Sequence, residues 1–144
     1  FTYIPHKNCL KENLSVNENL INWLKISGIK INDSVYQKKL EKFNIINLQD
    51  KIVKNLSHGQ KKKVSLTKLV LSNSNLWVLD EPLNGLDNKT IIIVKNLMKN
   101  HLDKNGTIFF SSHVHINMKI NKKIILKKII NKKQKTSLDN WKEL

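Results

Sequence analysis

At 144 residues, the chain is long enough to bury the core of one globular domain, and a hydrophobic content of 40% excludes an intrinsically disordered chain. The single cysteine, Cys9, excludes an internal disulfide, and no run approaches the ~20 uncharged apolar residues of a membrane-spanning helix. The net charge of +15 comes from 26 lysines without one arginine, which favours a solvated lysine surface over specific nucleic-acid binding, because base recognition favours arginine.

The first third of the chain is predicted to contain a short strand and two helices. Residues Thr2 to Pro5 have the pattern of a strand that runs into a loop. Ser15 and Glu18 have the spacing of a capping box at a helix start, and Gly28 is expected to end that helix. A second helix is expected from Ser34 to Ile46. Its expected core residues are Val35, Leu40 and Phe43.

The middle of the chain has the pattern of an α/β fold. A third helix is expected from about Ser57 to Leu71 and a fourth from about Lys89 to Leu102. Each is followed by a short apolar run, Leu76 to Leu79 and Thr107 to Phe110, that is typical of a strand buried on both faces of a parallel sheet. The order strand, helix, strand predicts a parallel crossover.

Acidic residues stand where such a sheet binds ligands. Asp80 and Glu81 come directly after the first apolar run, at the carboxyl end of the predicted strand. One carboxylate can serve Mg²⁺ and the other can polarise a water that attacks a phosphoryl group. Taken alone, the pair is better explained by a strand that ends in a solvated acidic turn.

Two further positions are candidates for phosphate contacts. Ser57 can cap the third helix, whose free backbone N–H groups bind anions, and Gly59 would let an anion approach the backbone. His113 follows the second apolar strand and can hydrogen-bond a phosphate or a water. Taken by itself, Ser57 is equally well explained as a plain helix cap, and a lone histidine such as His113 is more often structural.

The order and spacing of these segments are more specific than any one of them. Leu56 to Gln60 stands 20 positions before the run Leu76 to Pro82, which leads directly into Leu83 to Asp87, and Ser111 to His113 follows some 25 residues later. The arrangement resembles the ATP-binding-cassette ATPases: signature motif, Walker B, D-loop and H-loop, in family order. The resemblance covers residues 1 to about 118 and implies a P-loop NTPase-like α/β fold.

The resemblance also implies roles for single residues. Glu81 would be the general base and His113 the switch histidine, while Asp80 would serve the magnesium site. Ser57, Gly59 and Gln60 would contact ATP bound to the opposite subunit of a dimer, and Asp87 would couple the two sites. His6 stands where the family usually has the Q-loop glutamine, and His58 replaces the first glycine of the signature.

The family's division of the domain implies a helical subdomain at about residues 10–71 and catalytic-core strands at 72–131. The second part includes Ile-rich strands expected around Ile124 to Ile130, and residues 132–144 would form a poorly ordered tail. The Walker A loop would precede Phe1, so the sequence is interpreted as the C-terminal part of the domain. We expect this part alone to be inactive, since it lacks the loop that holds the β- and γ-phosphates.

Within the family, the chain is most similar to the ATP-binding subunit of the cytochrome c maturation haem exporter. The similar segments are Tyr3 to Asn8, Leu10 to Leu20 and the pair Leu76-Trp77. This implies ATP and Mg²⁺ as cofactors, with membrane-spanning transporter subunits and a second ATPase subunit as partners. The Lys, Asn and Ile bias is compatible with a mitochondrial genome. The expected location is therefore the matrix side of a mitochondrial inner membrane, with the cytoplasmic face of a bacterial inner membrane as the alternative.

Two other functions stay open from the sequence. The chain could serve another cassette transporter, or it could be a non-hydrolysing fragment that binds a partner. The missing Walker A loop and His6 favour the second of these, whereas the intact Glu81 and His113 disfavour it.

Overall fold

The computed structural model describes residues 1–113, 121, 122 and 124. Their elements, in chain order, are strands and helices that alternate only in the second half. They are β1 (Thr2–Ile4), α1 (Val16–Ile26), α2 (Asp33–Glu41), short 3-10 turns at Ile46–Leu48 and Val53–Asn55, α3 (His58–Leu71), β2 (Leu76–Asp80), α4 (Asn88–Asp103) and β3 (Thr107–Ser111). The strands predicted around Ile124 to Ile130 and the tail from residue 132 lie outside the described residues. The division at residue 71 stays a prediction.

Local sequence signals define the ends of α1. The Ser15 hydroxyl accepts the Glu18 N–H at 3.1 Å, and the Glu18 carboxylate accepts the Ser15 N–H at 2.7 Å, which is the predicted capping box. At the other end Gly28 adopts a φ of +67° and its N–H donates to Lys25 O, while Ile29 N–H donates to Leu24 O. This is a Schellman ending, so the prediction that Gly28 stops the helix is confirmed.

The second helix differs from its prediction. It begins one residue early, after an Asn32 cap, and ends at Glu41, because Asn44 turns the chain with a φ of +52°. The predicted core residue Val35 is exposed and Tyr36 is buried in its place, so that assignment was wrong by one position on the helix. Leu40 and Phe43 are buried as predicted.

The three strands form one parallel sheet in the order β1-β2-β3, with β2 in the centre. Trp77 and Leu79 of β2 are buried in the main core together with side chains of α3 and α4. The opposite face is open in the described part of the chain. On that face Tyr3, Val78 and Phe109 lie side by side across the strands, and Phe109 is 62% exposed. The prediction that both strands are buried on both faces was therefore wrong for the described residues.

Among the helices that the structure describes, none is both long and apolar enough to span a membrane.

Candidate active site at the carboxyl ends of the strands

The predicted acidic site is assembled where β2 and β3 end. Asp80 and Ser111 are partners in the parallel register, and the Ser111 hydroxyl donates to Asp80 Oδ1 at 2.6 Å. The same hydroxyl accepts the Glu81 N–H at 3.1 Å. One serine side chain therefore fixes both the carboxylate of Asp80 and the backbone of Glu81.

Glu81 is held in an unusual conformation. Its φ is +47°, a left-handed backbone conformation that costs a non-glycine residue about 1–3 kcal/mol. Its side chain is only 10% exposed, and Glu81 Oε2 accepts the His113 N–H at 3.2 Å. The His113 ring, which is 96% exposed, places Nε2 3.5 Å from Glu81 Oε1. The structure thus brings together the predicted base and the predicted switch histidine, which are 32 positions apart.

Charge and hydrogen bonding keep Asp80 ionised. The Ser111 hydroxyl lowers the pKa of Asp80 most, and the backbone and ring of His6 and the ammonium group of Lys62 lower it further. His6 therefore lies near Asp80, as the Q-loop position implied. Lys62 is 1% exposed, and burial lowers its pKa, while its attraction to Asp80 and Glu81 opposes that shift. A buried lysine thus interacts electrostatically with both carboxylates.

The signature residues form the first turn of α3. Ser57 Oγ accepts the Gln60 N–H at 3.2 Å, and Gln60 Oε1 accepts the Ser57 N–H at 3.0 Å, so the two residues form a second capping box. Because the Ser57 oxygen acts as an acceptor, its own O–H is left to donate. The N–H groups of His58 and Gly59 belong to the first turn and are not used within the helix. This end of α3 can therefore donate several hydrogen bonds to an anion.

Both carboxylate oxygens of Asp87 contact other residues of the chain. Oδ1 caps α4 by accepting the N–H and the hydroxyl of Thr90, each at 2.8 Å, and Oδ2 is 2.8 Å from Lys63 Nζ of α3. The Lys63 ammonium is the main cause that lowers the pKa of Asp87, followed by the bonds from Thr90. The predicted D-loop aspartate thus joins the start of α4 to the signature helix.

We expect the contribution of Asp87 to stability to depend on pH. Folding lowers its pKa, so the unfolded chain binds the proton more readily, and the contribution is complete above about pH 4 and lost as the pH falls towards the lowered pKa. Asp87→Asn keeps the capping oxygen but removes the charge. Its deficit in unfolding free energy should be largest near neutral pH and shrink below about pH 4. Urea unfolding measured across this range, with the exposed Asp50→Asn as control, checks this, and a deficit independent of pH contradicts it.

Sequence reasoning missed three residues of this site. Ser111 was part of the quoted H-loop segment but received no role, although its hydroxyl links Asp80 to Glu81. Lys63 and Gly85 were not singled out, and both lie at the contact between the signature helix and the D-loop. The sequence signal for Ser111 was its place at the end of the second apolar run, because the ends of neighbouring parallel strands meet.

The fold and this site define the class of protein. A family model described as "ABC transporter" matches residues 1–84, which is more than half of the chain, and the chain therefore belongs to the ABC transporter family. Solved structures agree on the fold. A putative ABC transporter ATP-binding protein from Pyrococcus furiosus matches with a TM-score of 0.66 at 24% identity, covering 79% of this chain and 57% of its own. A dimeric ATP-binding cassette bound to ADP and Pi matches with a TM-score of 0.65 at 20% identity, over 78% and 51%.

Three similar curated proteins share the name cytochrome c biogenesis ATP-binding export protein CcmA. That of Idiomarina loihiensis is 37% identical over 111 residues, 77% of this chain and 50% of its own length. That of Reclinomonas americana is 35% identical over 126 residues, 86% and 57%. That of Albidiferax ferrireducens is 33% identical over 116 residues, 81% and 55%. The resemblance found in the motifs is confirmed, and the chain spans about half the length of the curated relatives it matches.

Proposed function

We propose that the chain is the C-terminal part of the ATP-binding subunit of a transporter complex that couples ATP hydrolysis to haem export or delivery in cytochrome c maturation. The observation that carries the catalytic part of this proposal is the cluster of Asp80, Glu81, Ser111 and His113 at the carboxyl ends of two parallel strands. The similarity to CcmA proteins supports the proposal that haem is the cargo.

Glu81 is the proposed general base. Its carboxylate is nearly buried and accepts the His113 N–H. The backbone N–H of Glu81 donates to the Ser111 hydroxyl. A carboxylate held in this way can accept a hydrogen bond from a water and aim it in line with the γ-phosphate. His113 contributes the exposed imidazole that contacts that phosphate or the water. The strained backbone of Glu81 has a functional reason in this mechanism, because it directs the carboxylate towards His113.

The residues present fit a magnesium ion that accompanies ATP. In residues 1–113 and the other described positions, no group of three His, Cys, Asp or Glu side chains could hold a metal by itself. Mg²⁺ in phosphoryl-transfer sites needs no such cage, since one or two carboxylates, waters and the substrate phosphates supply its ligands. Asp80 would hold it, helped by His6, and the ion would neutralise charge on the β- and γ-phosphates.

The signature turn is proposed to act on a nucleotide held by a second ATPase subunit. Ser57, Gly59 and Gln60 form the donor-rich first turn of α3, and Asp87 lies beside them through Lys63. Such a turn suits the γ-phosphate, because helix N-termini stabilise anions.

The other partners proposed are membrane-spanning transporter subunits, through which the protein would associate with the membrane peripherally. The location proposed is the matrix side of a mitochondrial inner membrane, or else the cytoplasmic face of a bacterial one.

The test uses a completed cassette, in which the phosphate-binding half of the Reclinomonas americana relative precedes Phe1. This protein is produced in a bacterium that lacks its own CcmA, and both ATP hydrolysis and the amount of c-type cytochrome are measured. The intact relative serves as the positive control. Restored cytochromes together with hydrolysis are the expected result. Hydrolysis without restored cytochromes would favour another transporter, and neither activity would favour a non-hydrolysing fragment that binds a partner.

A further inference from the structure

The first turn of α3 packs directly on the loop that follows Glu81. A Cβ atom added at Gly85 would lie 2.6 Å from His58 Cδ2 and 2.9 Å from His58 Nε2, so the imidazole covers the α-carbon of this glycine. A Cβ atom added at Gly59 would lie 3.0 Å from the Gly85 carbonyl oxygen. The contacts at Gly85 are shorter than real Cβ atoms show, so a side chain there requires the His58 ring to shift. The contact at Gly59 is at the tight limit, so a side chain there requires the Gly85 backbone to move by a few tenths of an ångström.

An ion pair makes a second contact between α3 and this loop. Lys63 lies on α3 beyond the first turn, and its Nζ is 2.8 Å from Asp87 Oδ2 at the end of the loop. The loop residues 83–87 are thus held at Gly85 by His58 and at Asp87 by Lys63. The His58 side chain supplies the first of these two contacts.

We infer that His58 is a positioning residue that locks loop 83–87 to the signature turn, so that the two segments move as one unit. This inference rests on the proposed function for its consequence. If both segments act on a nucleotide held by a second subunit, the lock delivers Ser57 and Asp87 to that nucleotide together. The histidine ring thereby fixes the position of loop 83–87 relative to the signature turn.

The lock is tested in the 144-residue chain by a double-mutant cycle on the unfolding equilibrium. Gly85→Ala and Gly28→Ala introduce the same alanine at φ values of +73° and +67°, but only Gly85 has a neighbour within 4 Å. We expect Gly85→Ala to be the more destabilising variant. His58→Ala removes the ring and should recover stability in the Gly85→Ala background by roughly tenfold in the unfolding constant relative to additivity. It should leave the effect of Gly28→Ala unchanged.

A second measurement reports position rather than stability. The Asn84 N–H of loop 83–87 donates to Glu81 O directly after β2. In His58→Ala, hydrogen exchange at Asn84 should accelerate by about tenfold while the amides of α1 keep their rates. Additive effects in the cycle, or wild-type exchange at Asn84, overturn the inference. If Gly85→Ala does not fold, the double variant must fold for the inference to stand. Neither measurement involves nucleotide, so failure of the proposed ATPase function leaves the result unchanged.

Discussion

Replacement of Glu81 by glutamine should lower ATP hydrolysis by the completed cassette by about 10²–10⁴-fold while ATP still binds. Glutamine keeps the size of the side chain and can still accept the His113 N–H bond, which reaches Glu81 Oε2 at 3.2 Å. It removes the negative charge that orients the attacking water in the proposed mechanism. The loss should therefore fall on kcat, and ATP should remain on the protein in single-turnover measurements.

The matched control for this prediction is Glu41→Gln, the same chemical change at an exposed position at the end of α2. It should leave turnover within about twofold of the unmodified protein, since surface changes away from the site act weakly. Turnover by Glu81→Gln close to that of Glu41→Gln would refute the assignment of the general base. A loss of ATP binding in Glu81→Gln would instead indicate that the carboxylate mainly supports the nucleotide site.

The site illustrates which features a sequence can predict. The carboxylates and the histidine were identified because the family motifs place them at fixed spacing, and the capping box of Ser15 and Glu18 is a local signal over three residues. The positive φ of Glu81 and the double role of Ser111 were not predicted. Both depend on the pairing of strands 30 positions apart, and such geometry becomes available only once the register of the sheet is known.

The contact between His58 and Gly85 belongs to the same class of feature. Each residue has a local explanation, His58 as a tolerated replacement in the signature and Gly85 as a turn glycine with a φ of +73°. Nothing in the spacing of 27 positions indicates that the ring of one covers the other. Tertiary packing between α3 and the loop creates the contact, and the local sequence carries no signal for it.

The fold prediction failed at the faces of the sheet, and the failure defines a sharp test. The apolar runs of β2 and β3 indicated strands buried on both sides, yet Trp77 is 5% exposed on one face while Phe109 is 62% exposed on the other. Alanine in place of Trp77 should therefore cost about 3–5 kcal/mol of unfolding free energy, because it leaves a cavity in the core. It also removes the stack with His101, whose ring centre is 3.9 Å away.

Phe109→Ala is the matched variant, since it also replaces an aromatic residue of the sheet by alanine. With its side chain mostly in solvent, it should cost about 1 kcal/mol or less. Urea unfolding of both variants in the 144-residue chain measures the difference, with an unchanged slope showing that the midpoints report stability alone. Equal losses would mean that both faces are covered in solution. A large difference would establish that Trp77 anchors β2, the strand that presents Asp80 and Glu81, from one side only.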